Sequence, residues 1–219
     1  MQDTHGDQKE PIVLYGAGGL AKVVIGVLER QSKWEVVGLL DDDPATDSVL
    51  GYPVLGDRGR ARSLIESGIT RVHISVADNA ARSRLAAEMV SLRFSLVSVV
   101  DPTAVRLTET SVGRGALVHA YTVLSAACQL GELAIINAHV TVSHDSVIGD
   151  SVHLAPFVFL AGNVTVGDRT LVGAGAIVLP GVTVGSDVVV GANSVVTNDV
   201  EDNAIVIGSP ARPVKSPAS

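Results

Sequence analysis

From Val112 onward, every sixth residue is aliphatic: Val112, Val118, Leu124, Leu130, Ile136, Val142, Ile148, Leu154, Leu160, Val166, Val172, Val178, Val184, Val190 and Val196. No insertion breaks the count. The residue after each is usually small, as at Gly113, Gly131, Gly149, Gly167, Gly173, Gly185 and Gly191, and the residue two before is small or β-branched. A helix repeats every 3.6 residues and a strand every 2.0, so neither gives a period of six. A parallel β-helix of hexapeptide repeats does. Each hexad then forms one short strand with its aliphatic side chain inward, and the small residue behind it is expected to let the chain turn the corner. Three hexads make a triangular coil of 18 residues. Fifteen hexads (15 × 6 = 90 residues) make five coils, stacked at the usual strand spacing of about 4.8 Å. With aromatics at only 3% of the chain, the core must be built from small aliphatics, which suits so narrow an interior.

The first hundred residues follow a different rhythm. Strand-like runs at 11–16 (PIVLYG), 35–40 (EVVGLL), 71–77 (RVHISVA) and 95–100 (SLVSVV) alternate with helix-like segments at 19–31, 57–68 and 79–92. Such alternation predicts βαβ units and a small, Rossmann-like parallel sheet. The chain therefore divides into a loose tail (1–10), an α/β domain (11–100) and a β-helix (101–215). A net charge of −7 argues against a nucleic-acid binder, which needs a basic face to displace counterions. No apolar run reaches the ~18 residues of a membrane helix, and MQDTHGDQKE lacks the layout of a signal peptide. The cytoplasm is the expected location. The lone Cys128 excludes an intrachain disulfide and reads as a small buried apolar residue.

Residues 139–156 hold three of the six histidines: His139, His144 and His153. Residues 18 apart stack in a β-helix, so His144 is expected between Ala126 and Gly162, and His153 between Ile135 and Leu171. Two nearly side-chain-free neighbours leave room around the His144 ring. Neutral imidazole is suited to general-base work near pH 7, and the adjacent Asp145 could fix its tautomer. Solvent-facing decoration is the competing reading. A metal site is a further alternative, since His139 and His144 are five apart. Zinc, however, wants three placed ligands, and His119 lies twenty residues before His139 rather than a multiple of 18. In the first half, GAGGLAK follows a strand and opens a helix. Gly16, Gly18 and Gly19 there permit a tight turn and the approach of a phosphate to helix N–H groups; an ordinary turn would look the same. Asp41 and Asp42 could read ribose or base hydroxyls, or simply form a solvated turn. Ala77, Asp78 and Asn79 end the third strand, and Arg82 or Arg84 could meet a diphosphate or face solvent.

The hexads, the closing IVIGSPARPVK (with Gly208, Pro210, Ala211 and Arg212), and the stretches YGAGGLAKVV, LLDDDP, VSVVDPTA and HDSVIGDSVH together resemble the hexapeptide-repeat acetyltransferases of the sialic acid O-acetyltransferase and PglD-like branch. The resemblance covers residues 11–215. It implies a left-handed β-helix behind a nucleotide-sugar-binding domain. It also implies acetyl-coenzyme A-dependent N-acetylation of the 4-amino group of a nucleotide-linked amino sugar, by direct transfer and without a metal. By the same resemblance His144 is the base and Asp145 its partner, where some relatives carry Glu. The Gly162 N–H holds the oxyanion, unless Gly162 merely turns a corner. His153 contacts acetyl-CoA near the thioester, and the corners at Gly173, Ala174 and Gly175 and at Gly191 and Ala192 offer amides to the pantetheine arm and pyrophosphate. Asn137 helps hold substrate, or is a corner side chain between His119 and Ala155. Gly16, Gly18, Gly19, Leu20 (commonly His in relatives), Asp41, Asp42, Ala77, Asp78, Asn79 and Arg82 line the nucleotide-sugar crevice. The expected assembly is a homotrimer with its site between subunits. The alternatives are O-acetylation of a sialic acid or related sugar, a metal enzyme like the γ-carbonic anhydrases, which share the H-x4-H spacing, and a non-enzymatic nucleotide-sugar binder.

Overall fold

The computed structural model describes residues 9–214. The expected tail lies outside the described residues up to residue 8, and Glu10 already belongs to a strand. The chain forms two compact units. One runs to Val76 and adds Arg84–Val97; the other takes Ala77–Ser83 and everything from Ser98.

In the N-terminal unit the elements are β1 (Glu10–Tyr15), α1 (Gly19–Gln31), β2 (Trp34–Leu40), β3 (Ser48–Val49), β4 (Tyr52–Gly56), α2 (Ala61–Glu66), β5 (Arg71–Ile74), α3 (Asn79–Ser91) and β6 (Ser95–Leu96). The sheet order is β3-β4-β2-β1-β5-β6. All pairs are parallel except the β3–β4 hairpin, which turns at Leu50–Gly51 and was not anticipated from sequence. The central β1 is buried from Ile12 to Tyr15, as a parallel strand covered on both faces must be. On α1, Ala21, Val24, Ile25 and Leu28 recur at i, i+3, i+4 and i+7 and are fully buried. The strand order reverses at β1, so Gly16 after β1 and Ser75 after β5 flank the switch point where open α/β sheets bind ligands.

The C-terminal unit is a left-handed parallel β-helix of three sheets, with eight, six and five strands. As far as Val196 neighbouring strands are 18 residues apart, as in Leu124↔Val142 and Val142↔Leu160, and the last step, Val189↔Ile205, shortens to 16. Coiling starts at Val99–Val100, which pair with Leu117–Val118. Every member of the period-six series is buried except Val112, which is partly buried against the same core. The second inward column includes Cys128 and four hydroxyl residues. Among these, Thr122 donates to the Asn137 carbonyl (3.0 Å) and Thr170 to that of Gly185 (2.7 Å), so the polar atoms remain satisfied.

The corners differ from the expectation. The turn is made by the third residue after each inward aliphatic, which takes positive φ: Tyr121, His139, Asp145, Phe157 and their equivalents. The small residue directly after the aliphatic serves another purpose. A Cβ on Gly131 would lie 2.6 Å from the Gly149 carbonyl carbon, and one on Gly173 would lie 2.6 Å from the Ala192 nitrogen. These glycines let coils stack closely; they do not bend the chain.

Candidate active site

His144 lies at the corner between the strands Thr141–Val142 and Val147–Ile148. Its column runs Ala126, His144, Gly162, as the hydrogen bonds Asp145 N to Ala126 O (3.1 Å) and Asn163 N to His144 O (2.9 Å) require. Adjacent residues of a strand point opposite ways. Asp145 escapes that rule because it is the positive-φ residue of the corner (φ 59°). Its carboxylate therefore accepts from His144 Nδ1–H at 2.7 Å, on an imidazole that is 62% exposed. This fixes the tautomer and leaves the Nε2 lone pair unused. A Cβ on Gly162 would lie 2.6 Å from both Cε1 and Nε2 of His144, so the ring occupies the space a side chain there would need. The Gly162 N–H has no acceptor among the described residues.

His153 is on a different sheet, paired with Ile135 and Leu171. Asn137 Nδ2 donates to His153 Nε2 (2.8 Å) and to the Leu154 carbonyl (3.1 Å). Burial, reinforced by the nearby Arg82 cation, holds the His153 pKa below its ordinary value, against an opposing hydrogen bond to the Ala77 carbonyl. The ring is thus a neutral imidazole held at both nitrogens. His153 shares a cleft of about 290 Å³ with Ala77, Asp78, Asn79, Arg169 and Asp187. The cleft joins residues that the sequence reading had divided between coenzyme and sugar.

Arg82 is enclosed by the fold. It is 1% exposed and donates to the carbonyls of Leu133 (2.9 Å), Ser151 (2.8 Å) and Ala77 (3.0 Å) and to Asn79 Oδ1 (2.8 Å). Burial brings its pKa down to about 10, which leaves it charged at neutral pH. The diphosphate contact expected of Arg82 is therefore replaced by a clasp that ties residues 77–83 to two β-helix corners. Asn79 Nδ2 adds a bond to the Arg169 carbonyl (2.7 Å), and Asp78 caps α3 by accepting from Ala81 N–H (2.7 Å). Arg169 and Asp187 form a two-bond ion pair beside the cleft (2.8 and 2.6 Å). They were missed in the sequence, although their spacing of 18 on the turn-making column was a usable signal.

In the N-terminal unit Gly16 has φ 105°, and a Cβ there would meet the Ser75 carbonyl oxygen at 2.8 Å, so only glycine fits. Gly18 and Gly19 face open space, and Gly18 is the N-cap of α1, with no side-chain cap bond. Its first N–H groups are thus available to an anion. Leu20 is half-buried beside them. Asp41 accepts from Ala17 N–H (2.6 Å) and braces the glycine turn. Asp42 is committed to Arg58 in an ion pair and to Tyr15 Oη–H (2.8 Å). The Arg58 guanidinium draws its pKa down to about 2. Neither carboxylate is the open ribose acceptor that the run of aspartates suggested. Arg58, sixteen residues away, carried no recognisable signal.

The remaining expected residues sit elsewhere on the prism. Gly173–Gly175 and Gly191–Ala192 belong to the corner that carries Tyr121, His139 and Phe157. There three exposed rings stack at 5.2 and 5.0 Å. His139 is sandwiched in this ladder, and among the described residues no three His, Cys, Asp or Glu side chains gather as a metal set. Among the same residues no helix is long and apolar enough to cross a membrane.

The family described as PglD N-terminal domain matches residues 11–89. Two hexapeptide families, the bacterial transferase hexapeptide and the hexapeptide repeat of succinyl-transferase, match 145–179 and 163–198. Comparison with curated protein sequences gives no match. Among solved structures, PerB from Caulobacter crescentus, crystallised with CoA and GDP-perosamine, is 40% identical. The match covers 94% of this chain and 97% of that one, with a TM-score of 0.90. The acetyltransferase domain of PglB from Neisseria gonorrhoeae, in complex with acetyl coenzyme A, is 30% identical over 94% and 100% of the two chains, with a TM-score of 0.85. WeeI from Acinetobacter baumannii is 27% identical over the same shares, with a TM-score of 0.82.

Proposed function

Because this chain belongs to the PglD-like family of hexapeptide-repeat nucleotide-sugar acetyltransferases, we propose that its His144 corner carries out the transfer while the other two groups of residues hold the reactants. The chain is an acetyl-CoA-dependent enzyme that N-acetylates a nucleotide-linked amino sugar. In our reading the acceptor is the sugar's 4-amino group. Its nitrogen bonds to the thioester carbonyl carbon while His144 Nε2 takes the proton. Asp145 holds the other ring nitrogen and stabilises the imidazolium that forms. The Gly162 N–H donates to the oxyanion of the tetrahedral intermediate. When the carbon–sulfur bond breaks, coenzyme A departs as a thiolate and recovers a proton from His144. No acyl-enzyme is needed.

The glycine turn and open N-terminus of α1 receive the diphosphate, while Asp41 and Asp42 keep that turn and its surroundings in shape. His153, Asn137 and Asn79 line the sugar's side. His144 and the His153 cleft occupy different sides of one prism, and the Gly173 and Gly191 corners lie one corner away from His144. A homotrimer, in which each site takes His144 from one copy and the His153 cleft from the next, would unite these two. With acetyl-CoA as donor and a lone buried cysteine, the cytoplasm is the compartment we assign.

One observation carries the catalytic reading: the 2.7 Å contact between His144 Nδ1 and Asp145 on a ring seated over Gly162. His144→Ala is expected to lower kcat by roughly 10²–10⁴ with the fold intact. Thiol release from acetyl-CoA in the presence of a nucleotide amino sugar measures this. Turnover close to wild type would remove His144 from the chemistry.

A further inference from the structure

The cleft beside His153 has many polar side chains and few uncommitted polar atoms. Asp78, Asn79, His153, Arg169 and Asp187 line it, against an apolar wall that includes Leu171. Both ring nitrogens of His153 are held, one by Asn137 and the other by the Ala77 carbonyl. Asn79 accepts from Arg82 with Oδ1 and donates to the Arg169 carbonyl with Nδ2. Asp187 binds Arg169 through both of its oxygens. Asp78 is the exception. Its Oδ1 accepts from Ala81 N–H at 2.7 Å and caps α3, while its Oδ2 has no hydrogen bond among the described residues. The residue is exposed.

The neighbouring charges leave Asp78 without a direct ion partner. Arg169 is paired with Asp187, and His153 is a neutral ring. The Arg82 guanidinium feels the Asp78 charge, but it is enclosed and donates to carbonyls and to Asn79. An unpaired carboxylate oxygen gains most from a cationic donor. It also turns away an anion.

The acceptor of this reaction supplies such a donor. An amine beside electron-withdrawing carbons titrates at about 8, as an α-amino group does, so at neutral pH it is mainly ammonium. A hydroxyl at the same carbon carries no charge. The two are close in size, so an aliphatic wall separates them poorly and a carboxylate separates them well.

We propose that Asp78 selects an amine over a hydroxyl by binding the sugar's amino group, as an ammonium, through Oδ2. This rests on the acetyl-transfer reading above. The bound ammonium sheds one proton to solvent before attack. A second passes to His144 as the nitrogen bonds to the thioester carbon, and it ends on the departing thiolate.

Asp78→Asn removes the charge and keeps the cap, because asparagine caps a helix as well as aspartate does. Calorimetric titration with GDP- and UDP-linked 4-amino sugars, each beside its 4-hydroxy counterpart, measures binding without turnover. The wild type is expected to bind the amino sugar about 10-fold more tightly than the hydroxy sugar at neutral pH, the worth of a charge-assisted contact. That margin should vanish well above pH 8 or so, where the amine is neutral. Asp78→Asn should bind the two sugars alike at both pH values, with KM for acetyl-CoA unchanged. A thermal melt checks folding, and Asp78→Ser, another capping residue, carries the comparison if the amide variant fails to fold. A margin that survives in the variant, or that is missing from the wild type, overturns the role of Asp78 alone. A wild-type chain that binds none of these sugars, or that binds them without releasing thiol from acetyl-CoA, overturns the acetyl-transfer reading and this proposal with it.

Discussion

Gly162 is the residue on which the geometry of the site turns, because it is defined by what it lacks. The His144 ring lies where its Cβ would be. Gly162→Ala is therefore expected to fold, to push the imidazole outward by about an ångström and to lower kcat on the order of 10²-fold. Steady-state kinetics with a circular dichroism control would show it, and unaltered kcat would mean that the ring works from another position. The pairing of His144 with Asp145 was legible as adjacency. Its geometry was not, because the strand rule sends neighbours to opposite faces and only the positive φ of Asp145 brings them together. Asp42 shows the opposite limit. A run of three aspartates looks like an open acceptor, and nothing local announces that Arg58 and Tyr15 have claimed one of them. The same pair makes a pH prediction. The folded pKa of Asp42 is depressed from the ordinary 3.8 to about 2, so its contribution is full above pH 4 and fades as pH falls toward 2. In urea unfolding followed across that window, Asp42→Asn should be less acid-sensitive than the wild type.

Among elements, the prism was the most legible, since its inward residues repeat without interruption and nearly all are buried. What periodicity could not give was the turn, displaced by two residues from the small side chain that seemed to make it. The β3–β4 hairpin escaped notice for a related reason: β3 has only two residues and β4 contains Pro53, so no alternation develops. The first turn of α3 was misjudged more seriously. An arginine on a helix reads as a solvated charge, yet Arg82 donates to three backbone carbonyls and one side chain from a buried position. Arg82→Ala would strand those acceptors and is expected to destabilise the C-terminal unit by about 3 kcal/mol. For a chain of this length that is roughly 10 °C in Tm, measurable by calorimetry. A change below about 2 °C would mean that the clasp is not made in solution.

For the whole molecule, the half-buried His153 sets a pH limit. Its folded pKa is depressed below 6.5, chiefly by burial, so the unfolded chain binds the proton more readily. Its contribution is complete above about pH 6.5 and is lost as pH falls below that value. His153→Gln should flatten the dependence of stability on pH between 7 and 5, as read by urea unfolding.

The 18-residue register, unbroken from Val99 to Val196, also makes the prism a ruler, graduated in steps of one strand. Any two side chains on one corner are then held apart by a whole number of graduations rather than by a flexible loop. Excising one full graduation between Gly162 and Thr197 would preserve every stacked column yet shorten the measured span by about 4.8 Å. Such a chain would still wind correctly, but whatever bridges the two positions would have to be one graduation shorter.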